Sequence, residues 1–490
     1  MEENLLIIVK IKSVREGPKT FRGRIDMSEE NRTIFKKMIP ALDQDLLKKW
    51  YPLLIDKTNG GYHTNISYDW KLEPEQPKMA VTQGRHMWAA AKAAKYFDDS
   101  LYVDYAKHGF EFFKEKMWDQ KYGGFYQMRD HHGETTDYLG FHDEKRTYGN
   151  AFLIFGLAAL YELTGDQKTL DFAREAFHWI ERHAKDPKGF GYFQFLTREG
   201  EPISKNGRYK TKADDAVEAG FKDQNSSIHL LEAYTELYGV WHDETLRERL
   251  NGLLILVRDI ITTPEGYMNL FFDNNWKPVS FRNASKEVME KNYRLDHVSF
   301  GHNYETAFLM LEASHALGLR DDVKTLTIAK RMLDHAIENG WEKDNGGFVD
   351  AAYYFAGDKK CTIIRDTKNW WAQAEAINIL LMMSKIFPRE QVYETYFVKE
   401  WNYIDRFILD HEHGDWFEGG LDKEPHYKTG RKGHIWKGCY HTGRSLMNCT
   451  KMLSRDFPDL GPTNKGFAKE ASNFNAMIDH WKRIAANAKL

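Results

Sequence analysis

Tyr122-Gly123-Gly124-Phe125 decides the fold, through its flanks and because it recurs. Ahead of it, residues 101–118 carry apolar side chains at i, i+3, i+4 and i+7 with charges between them, the pattern of a helix with one wet face. After it, residues 148–163 are apolar nearly all round and rich in small side chains, the pattern of a helix covered on both sides. The same glycine–aromatic signature stands at Asn59-Gly60-Gly61-Tyr62, Gly189-Phe190-Gly191-Tyr192, Glu265-Gly266-Tyr267, Asn345-Gly346-Gly347-Phe348 and Gly414-Asp415-Trp416-Phe417. The interval is roughly 65 to 80 residues, the length of two helices with their connections.

The flanks recur as well. Charged amphipathic stretches at 169–183, 246–261 and 323–338 resemble 101–118, and apolar stretches at 82–97, 225–238, 301–317, 371–386 and 440–453 resemble 148–163. Six inner and six outer helices predict an all-α (α/α)6 barrel, with the signatures as tight turns and short β-hairpins at one end. Length alone would allow about three domains. The unbroken repeat and the lack of any Pro/Ser-rich linker predict instead one catalytic domain over 28–490, preceded by an N-terminal extension over 1–27.

Composition narrows the function. Lys and Arg number 69 against 72 Asp and Glu, a net charge of −3, which lacks the basic face of a nucleic-acid binder. No apolar run reaches the ~20 residues of a membrane span, and the apolar core at 5–9 is shorter than the ~7–15 residues of a signal peptide. Three cysteines, Cys361, Cys439 and Cys449, make no disulfide scaffold and contain no CxxC. These features predict a cytoplasmic protein, monomer or homodimer, with neither nucleic acid nor membrane as partner; the sequons at Asn31, Asn65, Asn225, Asn283 and Asn448 are then chance matches. Aromatic residues reach 14%, enough for a large core and for a platform that stacks on sugars.

The starts of the inner stretches carry the chemistry. They read Gly84-Arg85-His86, Thr147-Tyr148-Gly149-Asn150, Asn225-Ser226-Ser227-Ile228-His229, Gly301-His302-Asn303-Tyr304-Glu305, Trp370-Trp371-Ala372-Gln373-Ala374-Glu375 and Trp436-Lys437-Gly438-Cys439-Tyr440-His441, with Arg444 one turn on. All fall at one end of the barrel, where helix N-termini also offer free N–H donors. Each residue has a structural alternative: His229, His302 and His441 as satisfied core histidines, Arg85 as an ion-pair partner of Glu305 or Glu375, Trp371 and Trp436 as core. Three histidines at matching ends of one ring favour a site. His302 and Glu305, three apart, share a helix face, as a base and the carboxylate that orients it. HExxH, GxSxG, a phosphate loop and GxGxxG after a strand are all lacking. His131-His132 and His411-Glu412-His413 have loose metal-ligand spacing and read as exposed loop histidines.

Five pieces in order resemble the N-acylglucosamine 2-epimerase superfamily, and within it the cellobiose 2-epimerases. They are Tyr148-Gly149-Asn150-Ala151-Phe152, His229-Leu230-Leu231-Glu232-Ala233-Tyr234, Ser299-Phe300-Gly301-His302-Asn303-Tyr304-Glu305, Trp370-Trp371-Ala372-Gln373-Ala374-Glu375-Ala376 and Trp436-Lys437-Gly438-Cys439-Tyr440-His441-Thr442-Gly443-Arg444. The resemblance, which runs from about residue 35, implies an (α/α)6 barrel that inverts C2 of a reducing-end aldose without cofactor or metal. It implies His302 and His441 as acid/bases, His229 as an aid to ring opening, and Glu305 as partner of the first histidine. It implies Arg85 and Tyr148 at the reacting end of the sugar, and Asn225, Trp371, Glu375 and Trp436 as sugar contacts. Ser227, Asn303, Phe308, Gly438-Cys439 and Thr442 depart from the pattern and bear on disaccharide against monosaccharide substrates, such as cellobiose or mannobiose against glucose or mannose.

The residues suit that chemistry. Removing the proton next to a carbonyl takes a base of near-neutral pKa and a donor for the enediolate oxygen, the tasks of histidine and Arg85. Inversion takes a base on each face of C2. Aldose–ketose isomerisation, as of mannose to fructose, uses the same groups. Glycoside hydrolysis by Glu305 and Glu375 is a third outcome, and sugar binding without chemistry a fourth. Histidine chemistry predicts a rate that falls as pH drops through about 6.5.

Overall fold

The computed structural model describes residues 27–205 and 207–490. The expected extension lies outside the described residues, apart from Met27, which opens the first helix. In chain order the helices are α1 (Met27–Leu42), α2 (Ala80–Phe97), α3 (Ser100–Phe112), α4 (Thr147–Thr164), α5 (Gln167–His183), α6 (Gln224–Val240), α7 (Glu244–Leu256), the short α8 (Lys286–Asn292), α9 (Phe300–Ala316), α10 (Val323–Gly340), α11 (Trp370–Ile386), α12 (Gln391–Phe407), α13 (Tyr440–Leu453) and α14 (Lys465–Ala488). Helices α2, α4, α6, α9, α11 and α13 pack each on the next, and α13 returns to α2, closing the inner ring.

The two rings differ as the sequence predicts. All but one residue of α2 from Ala80 to Ala94 is buried, as is all of α4 from Thr147 to Leu160. In α5 only one stripe is buried, including Leu170, Ala173, Phe177 and Ile180. The outer ring begins with α1, which lies between α12 and α13. The last helix, α14, had no counterpart in the sequence reading. It packs on α2, α10, α11 and α13, the Tyr96 ring meets Phe467, and Lys95 near the end of α2 pairs with Glu470 at 2.9 Å, so α14 covers the C-terminal end of the barrel.

The signatures are tight turns that sit at the opposite end. Gly124 has φ +74°, and a Cβ there would stand 2.5 Å from the Trp179 ring, so only glycine fits. An amide three residues into the next inner helix grips each of several turns: Gln83 bonds both N–H and C=O of Tyr62, Asn150 those of Phe125, Gln373 those of Phe348, and Asn303 accepts from Met268 N–H. Asn303 and Gln373 therefore act on the frame. A buried lysine two residues before a helix adds an ion pair to the turn's acid: Lys78 with Asp56, Lys145 with Asp119, Lys222 with Asp186 and Lys368 with Glu342, at 2.7, 3.1, 2.6 and 3.1 Å. Val298 stands in that place before α9.

Short antiparallel strands complete this end, as expected. They are β1 (Lys78–Met79) with β2 (Met128–Arg129), β3 (Lys145–Arg146) with β4 (Phe195–Leu196), β5 (Lys222–Asp223) with β6 (Phe271–Phe272), and β7 (Val298–Ser299) with β8 (Ala351–Tyr353) and β9 (Thr362–Arg365). Asp99, Asp166, Asp243 and Asp322 cap outer helices. Of the inner helices only α6 has a side-chain cap, Asp223. The others lack a side-chain cap, and the first N–H of α2, α4, α9 and α11 donates instead to the backbone carbonyl of Gln127, Gln194, Asp350 and Glu418.

Candidate active site

A cavity of about 590 Å³ opens at this end of the barrel, within the range of small-molecule sites. Nine of the ten residues singled out in the sequence line it: Arg85, Tyr148, Asn225, His229, His302, Glu305, Trp371, Trp436 and His441. The tenth, Glu375, is fully buried behind His441. The three histidines do not hold matching places. His229 lies five residues into α6, His302 two into α9 and His441 one into α13. They line one cavity from different heights of the ring.

Their partners correct the sequence reading. His302 is not oriented by Glu305. Its Nδ1 bonds Ser299 Oγ at 2.8 Å, and its ring lies on Trp371 with centroids 4.9 Å apart. Glu305 instead accepts from Arg444 Nη2 at 2.7 Å and stands 3.7 Å from His441 Nδ1. His441 Nδ1 bonds Glu375 Oε1 at 2.8 Å, and the same oxygen accepts from Arg444 Nη2 at 2.6 Å. The i, i+3 spacing does form a pair at His229, whose Nδ1 bonds Glu232 Oε2 at 2.8 Å. Glu232 also takes bonds from Tyr440 and Arg444. Arg444 thus joins three carboxylates and is the ion-pair partner that Arg85 is not. Arg85 donates to the Tyr148 hydroxyl at 3.1 Å and to the Trp436 carbonyl at 3.4 Å, and it lies over the Phe152 and Tyr440 rings.

Burial sets the charge states. It pushes His302 down to about 3, helped by His229, His297 and Arg85. His441 is held well below its ordinary value by burial, Arg85 and Arg444. Both rings are therefore neutral at pH 7 and available as bases. Burial also raises Glu375, against the pull of Arg444. For Glu232 burial works against ionisation, but Arg444, His229 and Tyr440 prevail and lower it. The Tyr148 hydroxyl is raised by burial and so stays protonated beside Arg85.

Glu305, Glu375 and His441 bring their ligand atoms within 4.8 Å of one another. The guanidinium of Arg444 already stands among them and supplies the positive charge, so this trio does not call for a metal. The exposed His131-His132 pair and the loop histidines His411 and His413 line no part of the cavity.

Sequence reasoning missed Ser299, which precedes α9, and a second ring of polar residues above the helix ends. Gln127, Gln194, Asp350 and Glu418 each lie two residues past a signature aromatic and line the cavity. Their register was visible in the repeat, but nothing in one copy marks them as facing the cavity. None of Ser227, Asn303, Phe308, Gly438, Cys439 and Thr442 lines the cavity, so these departures act behind the wall. Trp436, 37% exposed, stands at the mouth over Tyr148.

No described helix is long and apolar enough to cross a membrane. The three cysteines are free, and the Asn31, Asn65 and Asn448 side chains are buried, so those sequons are no glycan sites in this fold.

Comparison with known proteins identifies the family. The sequence profile described as N-acylglucosamine 2-epimerase matches residues 60–442. The chain is 31% identical to a cellobiose 2-epimerase of Ruminococcus albus, over 84% of this chain and 97% of that protein. It is 27% identical to a cellobiose 2-epimerase of Bacteroides fragilis, over 85% and 98%. A crystal structure of a sugar epimerase from a ruminal bacterium superposes with a TM-score of 0.72 at 26% identity, covering 86% of this chain and 99% of that one. Fold, site and relatives together place the chain in the N-acylglucosamine 2-epimerase family, as an isomerase of the carbohydrate epimerase class.

Proposed function

We propose that the protein inverts C2 of a reducing-end aldose through an enediolate, with His302 and His441 as the two acid/bases and no cofactor. The observation that carries this reading is that two neutral histidines from different inner helices share one cavity with Arg85, whose guanidinium offers a fork of donors. One histidine removes the C2 proton. Arg85 and the Tyr148 hydroxyl bond the oxyanion that develops, at a site where burial strengthens such contacts. The other histidine returns a proton to the opposite face. His229, fixed through Nδ1 by Glu232, presents its other nitrogen to the cavity, where it assists ring opening.

The substrate is a reducing disaccharide such as cellobiose, or a free hexose. The polar upper ring of the cavity and Trp436 at its mouth favour the disaccharide, with the second sugar towards the tryptophan. Hydrolysis by Glu305 and Glu375 fits poorly. Both are held on one guanidinium nitrogen, and only Glu305 reaches the cavity, so the two do not flank a glycosidic bond as paired carboxylates must. Aldose–ketose isomerisation differs only in where the enediolate is reprotonated. Incubation with cellobiose, mannobiose, mannose, glucose and fructose tests the reading. Glucosyl-mannose from cellobiose is the expected product. Two glucoses would establish hydrolysis, and fructose from mannose with no C2 epimer would establish the isomerase.

A further inference from the structure

Behind His441 lies a group of charges that the two-histidine mechanism leaves without a task. Glu232, Glu305 and Glu375 all bond one guanidinium, that of Arg444, and each side chain is at most 4% exposed. Three buried carboxylates against one bonded cation leave excess negative charge, and burial makes such a group keep a proton. Glu232 has Tyr440, His229 and Arg444 to satisfy it. Glu305 reaches the cavity. Glu375 is fully buried, and its Oε2 has no hydrogen-bond partner. It is the acid that best holds the proton, in keeping with the upward shift that burial gives it.

Glu375 Oε1 lies 2.8 Å from His441 Nδ1. The other groups around this imidazole are Glu305 on α9, Arg444 and Tyr440 on its own helix, Arg85 on α2, and His229 and His302. The cations and burial oppose a second positive charge on the ring. A histidine that had to rest as imidazolium to act as acid would be poorly placed here. A neutral histidine with a proton donor behind it would not.

We propose that Glu375 and His441 form a proton relay, in which Glu375 passes a proton to Nδ1 as Nε2 gives its own to C2. The inference rests on the epimerase reading and assigns Glu375 a positioning role instead of the sugar contact that the resemblance implied. As C2 is reprotonated, the Nε2–H bond breaks, the electron pair of the enediolate forms the C2–H bond, and the C1 carbonyl returns. The proton on Glu375 Oε1 crosses to Nδ1, leaving a neutral imidazole and a carboxylate on Arg444. In the opposite direction Nε2 takes the C2 proton and Nδ1 returns its own to Glu375. No buried imidazolium forms at His441 in either direction.

Glu375→Gln keeps the size and the hydrogen bonding but has no proton to pass. Its kcat should fall by about 10²-fold or more, the range of general acid/base help, with KM within about threefold of wild type. In D2O it should still exchange the C2 proton of the one epimer that His302 faces, much faster than it forms product. A kcat within about threefold of wild type would overturn the relay, and so would a raised KM with kcat unchanged, the mark of a sugar contact. If the variant does not fold, the wild-type rate in H2O–D2O mixtures decides. A curved dependence on deuterium fraction, from two protons in flight, supports the relay; a straight one overturns it. Wild-type protein that makes no C2 epimer of any sugar would sink the underlying reading, whereas an epimerising wild type with an unimpaired Glu375→Gln variant would sink the relay alone.

Discussion

His302 and His441 both lie near Trp371, with ring centroids 4.9 and 5.6 Å from it, but they are built differently. His302 has a serine hydroxyl at Nδ1; His441 has a carboxylate, a second carboxylate behind it and a guanidinium joining the two. A hydroxyl fixes the tautomer and little else. A carboxylate that can hold a proton also sets the charge the ring carries through the reaction. Two histidines proposed for opposite faces of a sugar therefore need not be equal bases, and loss of each should show differently.

The largest effect falls on both rings. His302→Asn and His441→Asn should each reduce net epimerisation by at least about 10³-fold, within the range of lost acid/base catalysis, as read from product formation. Either variant retaining a tenth of wild-type turnover would break the two-sided account. Next comes the support beneath His441. Arg444→Met leaves three buried carboxylates without their shared cation and should destabilise the fold by about 3–5 kcal/mol, read from denaturant unfolding. A loss below about 1 kcal/mol would mean that the cluster is already largely protonated.

The support beneath His302 is smaller. Ser299→Ala should lower kcat by about 3- to 10-fold, the worth of one neutral hydrogen bond. It should slow only the exchange that His302 performs. Equal slowing at both faces would show that Ser299 serves the frame instead.

The pH profile bears on both rings. A base works in its deprotonated form, and burial lowers both imidazoles, so the base form persists to lower pH than in a free histidine. The acid limb of kcat/KM should therefore fall below the ~6.5 of free histidine. A midpoint at or above that value would mean that the carboxylates govern His441. The smallest effect is none at all. EDTA should leave the rate unchanged, because Arg444 takes the place a cation would hold between Glu305 and Glu375. Loss restored by a divalent ion would contradict this.

The sequence carries the ring well and the site's wiring less well. Gly124 and its equivalents are local, since positive φ and an aromatic neighbour are written into four consecutive residues. The residues at the helix starts were legible for the same reason, and nine of ten reach the cavity. The histidine partners were not. Three-residue spacing joins His229 to Glu232 because both lie within α6. The same spacing fails at His302, in the first turn of α9, where Ser299 takes Nδ1 and Glu305 turns towards Arg444. The partner of His441 is 66 residues away in sequence. Only the packing of successive inner helices brings α11 against α13, and no local pattern encodes that. The helix α14 across the barrel floor falls outside the six-fold period, so the repeat could not foresee it.

The most direct test follows the C2 proton in D2O. Wild-type turnover should place deuterium at C2 of the product. Of the variants His302→Asn and His441→Asn, one should exchange the C2 proton of the gluco sugar and the other that of the manno sugar, each without forming the epimer. Product with C2 fully protonated, or both variants exchanging the same epimer, would contradict the assignment of His302 and His441 to opposite faces of C2.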